Sequence, residues 1–119
     1  MYFYKRLYVS ESIRDADKVM DKLVRNAGEL TLYVLMLCGD SDREGGNQIE
    51  FCHCANLQQP YYRKYPPTII GLARGRSECI GIVQKIVEEA VEATGSPDIR
   101  SYLFPDGVYA GVVNRRASR

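Results

Sequence analysis

The sequence predicts an α+β domain with the element order β-α-β-β-β-α, a mixed and mostly antiparallel sheet, two amphipathic helices and material for one more strand at the C-terminal end. Three observations predict it. Apolar residues recur at helical spacing along 16–27 and again along 79–91, as one-sided helices require. Short apolar runs rich in β-branched and aromatic residues occupy 2–9, 30–38, 49–57 and 68–73, as pleated strands require. The polar, glycine-rich stretch 39–47 separates two of these runs and marks 30–57 as a hairpin.

Each element follows in order. Residues 2–9 alternate aromatic and aliphatic side chains with charge and form the first strand. Ala16, Val19, Met20, Leu23, Val24 and Ala27 make a single helical stripe, with capping residues up to Asp15 before it and Gly28 as its expected stop. A strand, a helix and a strand in succession favour a parallel pair between 2–9 and 30–38 through a right-handed crossover. Residues 58–67 hold three prolines and cannot be an interior strand. Cys79, Val83, Ile86, Val87, Ala90 and Val91 face one way on a second helix over 77–94, capped by Ser77 and stopped by Gly95-Ser96-Pro97. Residues 1–113 therefore read as one domain, and 114–119 as a disordered basic tail.

Run 30–38 is apolar on both alternating faces, with Tyr33, Leu35 and Leu37 on one and Leu32, Val34, Met36 and Cys38 on the other. Such a strand is buried on both sides. If both helices lie on one face, the other must be covered by 98–113 or by a second subunit, which makes a homodimer an expected assembly.

Length and charge narrow the function. The chain has 119 residues and a net charge of +1, one domain's worth and far from the basic balance of a dedicated nucleic-acid module. Charges interrupt the apolar N-terminal run, so it does not read as a secretory signal. The longest apolar run, 30–38, is far short of the roughly 20 residues of a membrane helix. A cytoplasmic protein with no membrane contact is expected, its cysteines Cys38, Cys52, Cys54 and Cys79 reduced.

The charge is not evenly spread. No Asp or Glu occurs from Phe51 to Ser77, while Arg63, Lys64, Arg74 and Arg76 do. Gly71, Arg74, Gly75, Arg76 and Ser77 run from a strand into a helix N-terminus, where free backbone N–H groups and the helix dipole favour an anion. The two arginines are fit to clamp phosphate or carboxylate, and the glycines allow close approach. Tyr61, Tyr62, Arg63 and Tyr65 interleave aromatic and basic groups and line the same surface. A plain glycine-assisted turn and a proline-stiffened loop explain the same residues without a ligand.

Cys52-His53-Cys54 resembles a metal motif, but strand alternation puts His53 on the face opposite both cysteines. No CxxC pair exists, and His53 is the sole histidine. Neither a metal, a cofactor nor a catalytic residue is therefore assigned. Asp40 and Asp42 lack calcium-loop spacing.

Leu7-Tyr8-Val9-Ser10, the hairpin, Gln59-Pro60-Tyr61-Tyr62, the run from Pro67 to Ala73 and Thr94-Gly95 together resemble an uncharacterised group of short bacterial proteins, over about 7–103. That resemblance implies no activity and transfers no site residue. The expected function is that of a small binding or regulatory protein taking an anionic small ligand or a protein partner through 58–77. A nucleic-acid adaptor on the same surface and a small enzyme built on Cys52, His53 or Cys54 are the alternatives.

Overall fold

The computed structural model describes residues 1–37 and 49–116. The expected 39–47 turn, with Asp40 and Asp42, and the expected approach of Cys38 to Cys52 lie outside the described residues.

Five strands form one sheet: β1 (Tyr2–Val9), β2 (Leu32–Leu37), β3 (Ile49–His53), β4 (Thr68–Arg74) and β5 (Val112–Asn114). Their spatial order is β3-β2-β4-β1-β5. β2 pairs antiparallel with both β3 and β4, and β5 pairs antiparallel with β1. Among the described residues the single parallel pair is β1 with β4. The expected parallel pair of the first two strands does not form, because β4 stands between them. Residues Ile69–Ala73 of β4 are uncharged and fully buried, so β4 gains most from the centre of the sheet.

Gly71 marks a tight place in that centre. A Cβ there would come within 3.1 Å of both Leu35 Cδ1 and the Tyr8 carbonyl oxygen. Register shifts beside it, at Leu35/Met36 of β2 and between Phe3 and Tyr8 of β1, adjust the flanking strands. Gly71 allows close approach, as expected, but of two neighbouring strands.

Helices cover both sheet faces. α1 (Ala16–Val24) packs Val19 and Leu23 with Leu32, Val34, Met36, Ile69 and Leu72 on one face. α3 (Arg76–Thr94) and α4 (Ile99–Leu103) pack Cys79, Ile86, Ile99 and Leu103 with Leu35, Leu37, Ile70 and Ala73 on the other. The two-faced pattern of β2 is thus satisfied within one chain. The second subunit was expected on the premise that both helices share a face, and they do not.

Local chemistry explains the element ends. Asp15 caps α1 by accepting the Lys18 N–H. The helix closes earlier than its apolar stripe, after Val24, because Asn26 takes a left-handed backbone (φ 62°) and the Ala27 N–H reaches back to the Lys22 carbonyl at 2.8 Å. Gly28 serves a contact instead: a Cβ on it would lie 2.5 Å from Cys54 Sγ. α3 begins at Arg76, with Gly75 (φ 89°) and not Ser77 at the cap, and closes on left-handed Gly95.

The third strand stops at His53, short of the expected 57. The His53 side chain accepts the Ala55 N–H and turns Cys54–Gln58 into a 3-10 helix. The proline-rich stretch that follows holds a one-turn helix, α2 (Pro60–Lys64), with Pro60 in its first turn, where a missing N–H costs nothing. At the C-terminal end β5 supplies the extra strand, and it runs past the boundary expected at 113. The Arg115 N–H bonds to the Met1 carbonyl at 2.8 Å, and its guanidinium pairs with Asp17 at 3.2 Å.

Gly81 is an exposed α3 residue at which a Cβ would meet nothing within 4 Å. Gly81→Ala is expected to stabilise the protein by about 0.5–1 kcal/mol, read as a higher urea midpoint with an unchanged slope. A lower midpoint would mean that this helix position is not free.

Candidate functional site

Apart from Gly71, buried in the middle of β4, the residues singled out in 58–77 fall into two groups, one at each end of that strand. Tyr65 lies three residues before the strand, while Arg74 ends it and Gly75, Arg76 and Ser77 follow. Six residue steps of about 3.3 Å separate the two strand ends, close to 20 Å.

The first group is an aromatic cluster on α2. Tyr61 contacts Tyr62 edge-on and is tilted against Tyr65, both at 5.3 Å between ring centroids. Tyr62 is half-buried against the α1-side core and roots the cluster. Tyr61, on α2, and Tyr65, just after it, remain 53% and 55% exposed. Lys64 Nζ lies 5.6 Å from the centre of the Tyr65 ring. Among the described residues no ion pair reaches Arg63 or Lys64.

The second group does not converge. The Arg74 guanidinium lies 2.7 Å from Glu29 Oε2 and donates to Thr31 Oγ1 at 3.1 Å. Lys22 holds the other oxygen of Glu29 at 2.9 Å. Oε2 is buried and makes no aligned hydrogen bond, so its contact with Arg74 is an ion pair of charge rather than geometry. Lys22, by its hydrogen bond, and then the Arg74 guanidinium hold the Glu29 carboxyl below its ordinary range. Arg76 instead lies over the Phe51 ring at 5.9 Å, and Phe51 packs against the α3-side core. The two guanidinium groups therefore serve opposite sheet faces.

The start of α3 already carries a carboxylate. Glu78 Oε1 accepts from Ser10 Oγ at 2.5 Å, Ser12 Oγ at 2.7 Å and the Arg74 N–H at 2.8 Å. The Ser10 hydrogen bond, then those of Arg74 and Ser12, hold this carboxyl below its ordinary range. The anion that the helix start favours is supplied from within the chain. Sequence reasoning passed over Glu78, although a glutamate three residues after the Gly75 cap is a recognisable helix-start signal.

A cleft of about 390 Å³ opens between the end of α1 and the 3-10 helix, lined in part by Asn26, Glu29, His53, Cys54 and Gln58. His53 does not point away from Cys54, because the chain leaves the strand between them. Its Nδ1 lies 3.9 Å from Cys54 Sγ. The thiol donates to the Glu29 carbonyl at 3.3 Å, and burial pushes its pKa up. It is a protonated thiol at neutral pH, as are half-buried Cys52, also raised by burial, and Cys79, pushed up to about 11. None has the lowered pKa of an attacking thiolate. On the α3 face, Tyr8 donates to Glu89 Oε2 at 2.6 Å and Tyr102 approaches it at 3.4 Å. Burial and Glu89 hold Tyr8 protonated, a cross-link between strand and helix.

Among the described residues no helix is long and apolar enough to cross a membrane. Compared with protein-family models, curated proteins and solved structures, the chain matches none.

Proposed function

We propose that this is a non-enzymatic binding protein that recognises an anionic partner through α2 and Tyr65. One observation carries the reading: two half-exposed tyrosine rings, rooted by a third, stand beside Arg63 and Lys64 in a stretch without an acidic residue from Phe51 to Ser77. The rings offer flat, rigid contact area at low entropic cost, and the two cations offer charge. Arg74 leaves this surface and becomes a structural residue, since its guanidinium is engaged by Glu29 and Thr31.

Adenosine monophosphate, pyrophosphate and a glutamate-rich peptide are the probes for the test, read by amide shifts of the labelled protein. The expected shifts fall on 58–65. Tyr61→Ala with Tyr65→Ala is expected to weaken the best probe about tenfold or more, while the melting temperature holds, because both rings face solvent. Shifts confined to 74–78, or full affinity in the double variant, would defeat this reading. The same rings suit base stacking, so a single-stranded oligonucleotide is a fourth probe. Tight binding that falls steeply with salt would favour the nucleic-acid reading instead.

A further inference from the structure

The stretch that carries the tyrosine cluster hangs on one imidazole. His53 Nδ1 accepts the Ala55 N–H at 3.1 Å, and Nε2 lies 2.6 Å from the Leu30 carbonyl. A backbone N–H can only donate and a carbonyl can only accept. These two partners therefore fix the ring in its neutral form, with the proton on Nε2. The bond to Nδ1 caps Cys54–Gln58, and Gln59 both ends this 3-10 helix and starts α2, which has no side-chain cap of its own. Packing adds little to that hold. None of 55–65 is buried, and Leu57 and Tyr62 are its contacts with the α1-side core.

The charged ring cannot keep both bonds. An imidazolium bears a proton on each nitrogen. Its Nε2–H still reaches the Leu30 carbonyl, and the positive charge strengthens that bond. Its Nδ1–H meets the Ala55 N–H, donor against donor, and the cap is lost. Proton uptake leaves the ring tied to Leu30 and frees the chain that follows it. His53 is half-buried, so solvent protons reach the ring. Other titratable groups stand around it. Met1, Glu29 and Cys54 line the same cleft, and the Tyr33 ring of β2 meets the imidazole edge-on at 5.6 Å. Lys22 and Arg74 hold Glu29 ionised, and burial holds Cys54 as a thiol. Burial and then Arg116 lower the pKa of the Met1 ammonium, which makes it the second group that changes charge near neutrality. Its hydrogen bonds run to Asn114 Oδ1 and the Arg115 carbonyl, beside β5.

We propose that His53 is a pH-sensitive latch: the neutral imidazole holds the 3-10 helix and α2 in place, and the imidazolium releases them. Tyr61, Tyr62 and Tyr65 then lose their common frame, and mild acid switches the tyrosine surface off. That last step rests on the tyrosine surface being the binding site. The release of the two short helices does not.

The test compares the full chain at about pH 7.5 and about pH 5.5, a window that spans the ordinary histidine range and leaves Glu29 and Glu78 ionised. Cα chemical shifts of 55–64 are expected to move toward coil values in acid, while those of α1 and α3 hold. In His53→Asn the change is expected to vanish, because an asparagine oxygen accepts the N–H two residues on and takes up no proton in this window. His53→Ala has no acceptor and is expected to show the acid pattern already at the higher pH. The binding probe is the glutamate-rich peptide, whose carboxylates stay ionised in both buffers. Its affinity for the parent is expected to fall about fivefold in acid, the weight of one helix cap, and to hold in His53→Asn. Cα shifts of 55–64 that do not move in the parent, or that move equally in His53→Asn, would overturn the latch; the second result would assign the change to Met1. Helices that let go while the peptide binds equally well would overturn the control of binding. A peptide that binds neither protein would defeat the tyrosine surface as the binding site, and the Cα shifts would still decide the latch.

Discussion

Leu32→Ala and Leu35→Ala are each expected to lower the unfolding free energy by about 3 kcal/mol, and neither loss is expected to depend on protein concentration. The two residues lie three positions apart on β2 and so face opposite ways. Leu32 packs with Val19 and Leu23 beneath α1, and Leu35 packs with Ile86 and Leu103 beneath α3 and α4; both are 0% exposed. Truncation removes the same methyl groups on either face and leaves a cavity that close-packed neighbours refill only in part. Where one face is sealed by a second copy, the stability of that face rises with protein concentration through mass action. Here the chain seals both, so the urea midpoints of the parent and both variants are expected to hold over an about 100-fold range of concentration. A midpoint that climbs with concentration, or a Leu32→Ala variant as stable as the parent, would show that α1 does not close its face.

The same strand shows what the sequence makes legible. The alternation of Leu32, Val34 and Met36 against Tyr33, Leu35 and Leu37 assigns each side chain to the face on which the structure puts it, because a period of two leaves no other choice. The stripes of α1 and α3 are legible for the same reason at a period of 3.6, except that Val91, expected on the α3 stripe, is 45% exposed. Strand order is not local in this way. Nothing in Thr68–Arg74 announces that it will insert between β1 and β2; that follows from a comparison of burial among all the strands. The 3-10 helix after His53 depends on one side-chain hydrogen bond, and that bond also brings His53 Nδ1 and Cys54 Sγ to one wall of the cleft. Of the candidate surface, the cluster of tyrosines was legible from their spacing in the chain. The divergence of Arg74 and Arg76 was not, since their partners, Glu29, Thr31 and Phe51, come from other parts of the chain.

Glu78 is where that non-local chemistry has its largest expected effect. Its one oxygen gathers donors from the loop after β1 and from the end of β4, the two strands that run parallel. Glu78→Ala strips a partner from two hydroxyls and a backbone N–H, and is expected to cost about 2 kcal/mol, since each net hydrogen bond contributes about 1 kcal/mol and the exposed Ser12 can turn to water. Glu78→Gln keeps an acceptor oxygen without the charge, and is expected to cost less. The pH dependence separates charge from shape. Glu78 and Glu29 both have folded-state carboxyl pKa values below the ordinary 4.5. A lowered folded value means that the unfolded chain takes up protons first as pH falls. Their contribution is therefore complete above about pH 4.5 and declines as pH drops through the lowered values. The parent is expected to lose stability steadily from pH 5 to pH 3. Glu78→Gln is expected to show a shallower decline, because Glu29 alone of this pair still titrates between β4 and α1. Urea midpoints at half-unit pH steps measure it. Parallel pH profiles for the parent and Glu78→Gln would show that the Glu78 charge adds nothing, and that the start of α3 is held by the shape of the Gly75 turn alone.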